Sequence, residues 1–348
     1  MAATCRSLYE SVAAKTTLSL TRRDNQVSIK NDKLIVERGE QGKNTIEIEL
    51  DRIRRIMIFG LANADCKVLT TLMHQGVPVD FFDVQGLPKG QLICLYGSED
   101  LHLSWQQRFD DFPDRKFELA RKVLRAKADN SANILLRRTG LCPEWNNCSD
   151  LFQKSENPDQ LRGAEGYTAR IYYGQWNTML EEGQWKGRLA HPAPDPLNAM
   201  LSFGYVMLHN RFASALRSQG LNPRLGFFHR SQGGHWALAS DLMEPFRPLV
   251  DHVVLKLVRH HEVHLDKFEI KDGRCLMKDP HLFGTVLKAF ENMFSCTIKL
   301  YYQLSDGLWK RMSRTLDDHI EDQAAAYAGM LGGQCDFEPL RINPCCAF

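Results

Sequence analysis

The chain lacks any apolar run long enough to cross a bilayer, which takes about 20 consecutive apolar residues. Its first twenty residues lack the basic start and unbroken apolar stretch of a secretory signal. Its ten cysteines include no pair with the two-residue gap of a zinc knuckle. We therefore expect a cytoplasmic protein with reduced, structural thiols and no membrane partner.

A strong net charge is also missing, since 44 basic residues nearly balance 42 acidic ones and leave a formal charge of +2. A surface that binds polyanions must therefore come from local clustering of basic side chains. The sequence has no Gly-x-x-x-x-Gly-Lys-Ser/Thr loop, no dinucleotide fingerprint after a strand and no His-Glu-x-x-His helix. The sequence therefore gives no support for binding of ATP or a dinucleotide through those motifs, or for the chemistry of a zinc protease.

The amino-terminal quarter carries the pattern of strands. Between residues 26 and 50, apolar residues alternate with polar ones at a period of two. A short helix is predicted from Ala64 to Gln75, and further strands at 77–82 and 91–96. We predict a β-rich domain over residues 1–97.

Helical periodicity dominates from residue 98 onward, with a segment at 141–160 that is predicted to be an irregular connection. The predicted helices cover residues 115–138, 198–219, 242–259, 283–304 and 317–331. The expected fold class is α+β, with the small β-rich domain followed by a larger all-α catalytic domain over residues 98–348.

One histidine and three carboxylates form the candidate site. Asp241 and Glu244 are three residues apart, so a helix would place them on one face, while His229 and Glu165 lie upstream. Carboxylates with an imidazole suit a hard divalent ion such as Mg²⁺ or Mn²⁺. Such an ion activates a phosphodiester for attack by an oxygen nucleophile. The prediction requires these side chains to meet in the fold.

Each of these residues also has a structural interpretation. Asp241 and Glu244 resemble a helix cap, and Pro245 and Pro248 fit the first turn of a helix. His229 follows an apolar Leu-Gly-Phe-Phe run, where a histidine is often a buried structural residue. Local pattern alone therefore leaves both interpretations open.

Several basic side chains are candidates for phosphate contacts, and a solvated helix face is the alternative for each. A dense basic set lies between residues 121 and 138. The candidate DNA-binding residues among the basic side chains are Arg170, Lys256, Arg259, Arg137 and Arg138.

Four motifs resemble those of the CRISPR-associated endonuclease and integrase family Cas1, in the same order and spacing. They begin with Glu165-Gly-x-x-Ala-Arg-x-Tyr-Tyr and Leu197-Asn-Ala-Met-Leu-Ser-Phe-Gly-Tyr. The other two are Leu221-x-Pro-x-Leu-Gly-Phe-Phe-His-Arg and Ala237-Leu-Ala-Ser-Asp-Leu-Met-Glu-Pro-Phe-Arg-Pro-Leu-Val-Asp. The resemblance extends from about Leu18 to about Gly329.

The resemblance implies that Glu165, His229 and Glu244 bind the metal ion and that Asp241 supports them in a catalytic set of four. It places Arg170 and Asn198 at the same site as DNA-binding residues. The implied activity is that of a Mg²⁺- or Mn²⁺-dependent DNA endonuclease and integrase of CRISPR adaptation. Such an enzyme joins prespacer 3′-hydroxyl ends to repeat DNA by transesterification.

The resemblance also implies partners. Family members form homodimers, two of which flank a central dimer of the small protein Cas2 on double-stranded prespacer and repeat DNA. The resemblance therefore implies that the β-rich domain over residues 1–97 is a dimerisation domain and that the helical domain holds the DNA. Some members are joined to a reverse transcriptase, which adds that enzyme to the candidate partners. The first fifteen residues lie outside the resemblance.

Two other functions fit the same residues. A hydrolytic nuclease acting on branched DNA in repair would use the same ion with water as nucleophile. A non-catalytic DNA-binding scaffold would use the acids only as helix caps.

Overall fold

The computed structural model divides the chain into two compact units, residues 1–95 and 96–348. It describes residues 15–21, 25–38, 44–60, 63–83, 88–92, 99–136, 139–140, 144–145, 148–189, 192–230, 235–303 and 309–342. Arg137 and Arg138, both predicted to contact DNA, lie outside the described residues.

The first unit is built from strands, as the alternating pattern predicted. Its elements are β1 (Thr16–Leu20), β2 (Gln26–Lys30), β3 (Lys33–Arg38), β4 (Asn44–Glu49), β5 (Ile53–Phe59), β6 (Asn63–Ala64), α1 (Cys66–His74), β7 (Val79–Phe82) and β8 (Pro88–Leu92). The strands form two four-stranded sheets, in the orders β4-β3-β2-β6 and β1-β5-β7-β8.

The predicted turn between β2 and β3 has the backbone that its sequence favours. Asn31 and Asp32 both have positive φ, 50° and 58°, which suits a tight hairpin. The hairpin sets the register so that Leu34 and Val36 are fully buried. The period-two prediction for this region is therefore confirmed.

The second unit is mostly helical. Its helices are α2 (Glu99–Phe109), α3 (Pro113–Leu136), α4 (Cys148–Lys154), α5 (Pro158–Gly174), α6 (Pro196–Ser218), α7 (Ala237–Met243), α8 (Arg247–Arg259), α9 (Pro280–Ser295) and α10 (Leu316–Leu331). Two antiparallel hairpins complete it, β9 (Glu269–Lys271) with β10 (Arg274–Leu276) and β11 (Thr297–Gln303) with β12 (Trp309–Thr315).

Two predictions for this unit were wrong in detail. The helix expected over 283–304 ends at Ser295, because Thr297 and Ile298 begin a strand that pairs with β12. β-branched and aromatic residues favour strands, so the second unit is not purely helical. The connection expected over 141–160 contains α4 and the start of α5, which Asn157 caps by accepting from the N–H of Gln160.

Helix α6 forms the centre of the second unit, with most of its residues buried. Asp195 caps it and Pro196 opens it, as the predicted helix near Asn198 requires. A Cβ on Gly204 would lie 2.5 Å from Phe290 and 2.6 Å from Val250, so the glycine lets α8 and α9 approach α6 closely. None of the helices within the described residues is long and apolar enough to span a membrane.

Candidate functional site

The structure brings the four predicted side chains into one connected cluster in the second unit. Glu165 projects from the middle of α5, and His229 lies in the loop between α6 and α7. Asp241 lies on α7, and Glu244 opens the single 3₁₀ turn Glu244–Phe246 that links α7 to α8. The change of helix type at this link replaces the continuous helix predicted from residue 242.

Asp241 fixes the position of His229. Its carboxylate, which is almost fully buried, accepts hydrogen bonds from the backbone N–H groups of Phe227 (2.6 Å), Phe228 (3.0 Å) and His229 (2.9 Å). It also contacts Nδ1 of His229 at 2.6 Å. When Nδ1 of a neutral His229 donates its proton to Asp241, Nε2 carries a lone pair that can bind a metal ion. Metal-binding histidines commonly have a carboxylate on the other ring nitrogen in this way.

Gly226 makes this close approach possible. A Cβ at this position would lie 2.6 Å from Oδ2 of Asp241 and 2.8 Å from Cβ of Ala237. Any larger residue would therefore push the loop away from α7 and pull the backbone donors off the carboxylate. The sequence motif contained this glycine, but only the three-dimensional contact gives its role.

Glu244 is buried and ionised. Its Oε1 accepts from Arg247 at 3.0 Å and lies 3.9 Å from Nε2 of His229. Burial disfavours the charged carboxylate, but Arg247 and then Lys127 outweigh it and lower the pKa of Glu244 to about 2. The carboxylate is therefore held as an anion at neutral pH.

Lys127, from α3, lies between the two metal-binding candidates. Its ammonium is 2.7 Å from Oε1 of Glu165 and 2.6 Å from Oε2 of Glu244. Burial opposes its charge, but the two carboxylates outweigh this effect and raise the pKa of Lys127. Lys127 belonged to the basic set seen in the sequence, yet its partners are 38 and 117 residues away, so no local pattern identifies it.

The capping interpretation of the two acids is wrong. Asp241 lies inside α7 and accepts from the preceding loop instead of from its own helix. Glu244 makes no side-chain cap hydrogen bond at the 3₁₀ turn or at α8. Both carboxylates therefore face the cluster and leave the helix ends without side-chain caps.

The histidine at 229 is only partly buried, with 31% of its side chain exposed. Burial lowers the pKa of His229, but the hydrogen bond to Asp241 and the charge of Glu244 outweigh it, and the net shift is upward. Its Nε2 faces Glu244 and is accessible, so it is placed to act either as a ligand or in proton transfer.

The donor set fits a hard divalent ion. Within the described residues, no three His, Cys, Asp or Glu side chains are close enough together to bind a metal ion without moving. In this cluster, Lys127 lies between Glu165 and Glu244. Glu244 is almost fully buried, and its Oε2 faces a cation, the ammonium of Lys127, at 2.6 Å. A buried, ionised carboxylate and an imidazole on one cluster are the kinds of donor that a divalent ion binds.

The cluster is open to solvent on two sides of Glu165. One pocket of about 660 Å³ is lined by Lys127, Glu165, Arg170, Arg188 and Arg247, among others. A second pocket of about 480 Å³ is lined by Glu165 and His229 together with Asp159, Arg162, Phe228 and Arg230. Both pockets carry basic side chains beside the acids, which suits a phosphate-bearing ligand.

Among the predicted DNA contacts, Arg170 is exposed, lines the larger pocket and stacks over Tyr167 at 5.2 Å. Lys256 and Arg259 are exposed in the last turns of α8. At 1.5 Å per residue they lie roughly 14 and 18 Å along the helix from Arg247, so they are peripheral to the cluster. Their predicted role in binding DNA at a distance from the site stays a prediction.

Asn198 does not fit the predicted contact with DNA. It is fully buried, and its Oδ1 accepts from Arg188 (2.8 Å) and from the N–H of Leu189 (2.9 Å). Its Nδ2 donates to the carbonyl of Gly187 (3.0 Å) and to Asp195 (2.7 Å). With its amide fully used inside the protein, Asn198 positions the loop that carries Arg188.

Behind Glu244, a polar network that the sequence did not reveal supports Arg247. The guanidinium lies 4.2 Å from the ring centre of Tyr205, whose hydroxyl donates to Asp251. Tyr173 hydrogen-bonds to Tyr205 at 2.9 Å. Asp251 is almost fully buried, and this burial raises the pKa of its carboxyl to about 6.

Comparison with known proteins identifies the family of this chain. The family described as CRISPR associated protein Cas1 matches residues 18–292. The CRISPR-associated endonuclease Cas1 1 of Thermus thermophilus is 33% identical over 267 residues, which are 76% of this chain and 82% of that protein. The fold and the matched sequence define a CRISPR-associated nuclease. The chain belongs to the Cas1 family of endonucleases and integrases.

Solved structures show the same fold. A casposase bound to an integration product has a TM-score of 0.78 at 21% identity, over 93% of this chain and 92% of its own. A Cas6-RT-Cas1–Cas2 complex has a TM-score of 0.74 at 22% identity, over 95% of this chain. The match covers 36% of that longer chain.

Proposed function

We propose that this chain is a Mg²⁺- or Mn²⁺-dependent integrase of CRISPR adaptation, which joins prespacer 3′-hydroxyl ends to repeat DNA by transesterification. The observation that carries the proposal is the cluster of Glu165, His229 and Glu244, with Asp241 behind the histidine and basic side chains around it. The casposase that shares the fold was captured with an integration product, which supports joining as the reaction.

Glu165, Glu244 and Nε2 of His229 would hold the ion. When bound, it would polarise a phosphoryl oxygen and offset the charge that develops on the leaving oxygen. Asp241 keeps Nε2 of His229 directed at the site, and Arg247 holds Glu244 in its ionised form. Arg170, exposed beside Glu165, is placed to bind a DNA phosphate as a charge-assisted donor.

The proposed partners follow from the family. We propose a homodimer that works with a Cas2 dimer on double-stranded prespacer and repeat DNA. The neighbour with Cas2 and a reverse transcriptase in one complex supports these partner classes and adds a reverse transcriptase as a candidate.

The test is a strand-joining assay with duplexes that bear free 3′-hydroxyl ends, a target that contains a repeat, Cas2 and Mn²⁺. Joined product is expected for the wild type and should be lost in Glu165→Ala, His229→Ala and Glu244→Ala. Glu182→Ala removes an exposed carboxylate and should leave joining unchanged. Cleavage with no joined product would favour a hydrolytic nuclease acting on branched DNA, and full activity in all three variants would reject the site.

A further inference from the structure

Lys127 holds the position that a metal ion would need. Its ammonium contacts one oxygen of Glu165 and one of Glu244, at 2.7 and 2.6 Å. A divalent ion such as Mg²⁺ lies about 2.0–2.1 Å from each carboxylate oxygen that binds it. An ion shared by these same two oxygens would therefore lie almost where the nitrogen lies, and two cations cannot share that position.

The neighbouring cation contacts a different atom. Arg247 donates to Oε1 of Glu244, the oxygen that also faces His229, whereas Lys127 contacts Oε2. The guanidinium of Arg247 can therefore hold the carboxylate of Glu244 in place whether Lys127 or a metal ion contacts Oε2. The two cations thus have separable roles, and only Lys127 lies between the two carboxylates.

The ammonium also keeps the two carboxylates close together. It lies 2.7 Å from an oxygen of Glu165 and 2.6 Å from an oxygen of Glu244. Removing the ammonium with nothing in its place would leave two nearby carboxylates that repel each other.

Lys127 has space into which to move. Its four-carbon stem is flexible, and Lys127 itself lines the pocket of about 660 Å³ beside Glu165. Rotation about the bonds of that stem is the movement by which the ammonium would leave the carboxylates for the pocket.

We propose that Lys127 is a built-in counter-ion, which holds Glu165 and Glu244 together and must leave them before a divalent ion binds. This inference rests on the metal site of the proposed function. It adds that binding of the ion is a competition with a residue of the chain itself, so the affinity for the ion is set partly by Lys127.

The test measures the affinity of this 348-residue chain for Mn²⁺ by titration, with free Mn²⁺ followed by electron paramagnetic resonance. Lys127→Met keeps the length of the side chain and removes its charge. We expect this variant to bind Mn²⁺ at least about tenfold more tightly than the wild type, a change within the usual range of coupling between two binding events. In EDTA it should melt at a lower temperature than the wild type, and Mn²⁺ should raise its Tm by more.

The matched control is Lys186→Met, the same substitution in the same pocket. Lys186 is exposed and, within the described part of the chain, forms no ion pair with either carboxylate. Its affinity for Mn²⁺ should stay within about twofold of the wild type, because exposed charges are screened. An equal gain in both variants would mean that total charge, not competition, sets the affinity, and would overturn the proposal.

Unchanged or weaker binding of Mn²⁺ in Lys127→Met would also overturn the proposal. The metal site itself would still stand in that case if the wild type binds Mn²⁺ and Glu244→Gln does not. If the wild type shows no Mn²⁺ site that Glu244→Gln removes, both this proposal and the metal site are wrong. Lys127→Gln, which keeps a hydrogen-bond donor, provides the same comparison if Lys127→Met does not fold with or without Mn²⁺.

Discussion

At the scale of single residues, the site depends on side chains that hold other side chains. Asp241 collects three backbone donors and the imidazole of His229, and Gly226 supplies the space for that contact. Arg247 and Lys127 each neutralise one oxygen of Glu244. The charges at the centre are thereby fixed before any ligand arrives.

Replacing Asp241 with asparagine should weaken both metal binding and joining. The amide has one acceptor oxygen in place of two, so a buried backbone donor is left unpaired and His229 loses its charged partner. We expect affinity for Mn²⁺ or the rate of joining to fall by about 10- to 100-fold, and the free energy of unfolding to fall by about 1–3 kcal/mol. Titration with Mn²⁺ and chemical denaturation measure the two effects.

Asp279→Asn is the control for this substitution. Asp279 caps α9 by accepting from the N–H of Leu282, and asparagine caps helices about as well as aspartate. Its stability should therefore change by less than about 0.5 kcal/mol. Wild-type joining and metal affinity in Asp241→Asn would show that Asp241 does not position His229.

At the scale of secondary-structure elements, the site lies where α3, α5 and the α7–α8 link meet. The sequence predicted the elements with strong periodicity, such as α6, whose predicted range of 198–219 lies within two residues of the observed Pro196–Ser218. It did not predict the 3₁₀ turn at Glu244, since Pro245 and Pro248 fit a single helix start equally well. The strand at Thr297 was also missed, because the apolar spacing of α9 runs on into it.

The four site residues were found from the family resemblance, whereas each was ambiguous from local pattern. Glu165 is one acid among many in the sequence, and only its place beside Lys127 gives it a role. Lys127 was missed as a site residue because packing between helices sets its partners. Arg247 was missed although it lies only three residues after Glu244, a spacing that could have indicated the pair. Asn198 matched a family motif, but its burial shows that it acts within the protein.

The packing of α6 against α8 and α9 makes a separate prediction. Gly204→Ala places a methyl group against Phe290 and Val250, in contact distances that real Cβ atoms do not adopt. We expect the free energy of unfolding to fall by about 1–3 kcal/mol, as overpacking of a core does. Denaturant titration gives the value directly.

Gly284→Ala provides the opposite result within α9. Gly284 is exposed, and nothing lies within 4 Å of an added Cβ. Loss of a glycine from a helix interior should raise stability by about 0.5–1 kcal/mol. Equal effects of the two alanine substitutions would contradict the close approach of the helices at Gly204.

At the scale of the whole molecule, buried histidines make the fold sensitive to acid. Burial lowers the pKa of His319, which lies fully inside α10, from 6.5 to about 4. The unfolded chain therefore takes up a proton near pH 6.5 that the folded chain refuses until about pH 4. The stability from this group is present above pH 6.5 and is lost as the pH falls towards 4.

His319→Gln removes this titration. Between pH 7 and pH 4, the free energy of unfolding of the wild type should fall by up to about 3 kcal/mol more than that of the variant. A pKa lowered from 6.5 to about 4 implies a difference of this size. Denaturant titrations at a series of pH values measure it, with His281→Gln as an exposed control. A difference that does not change with pH would show that His319 does not titrate as proposed.

The most direct measurement is anomalous diffraction from a crystal of this protein grown with Mn²⁺. We expect one strong manganese peak within coordination distance of Glu165, Glu244 and Nε2 of His229, with Lys127 moved away from both carboxylates. A crystal saturated with Mn²⁺ that shows no peak there, with Lys127 still between Glu165 and Glu244, would contradict it.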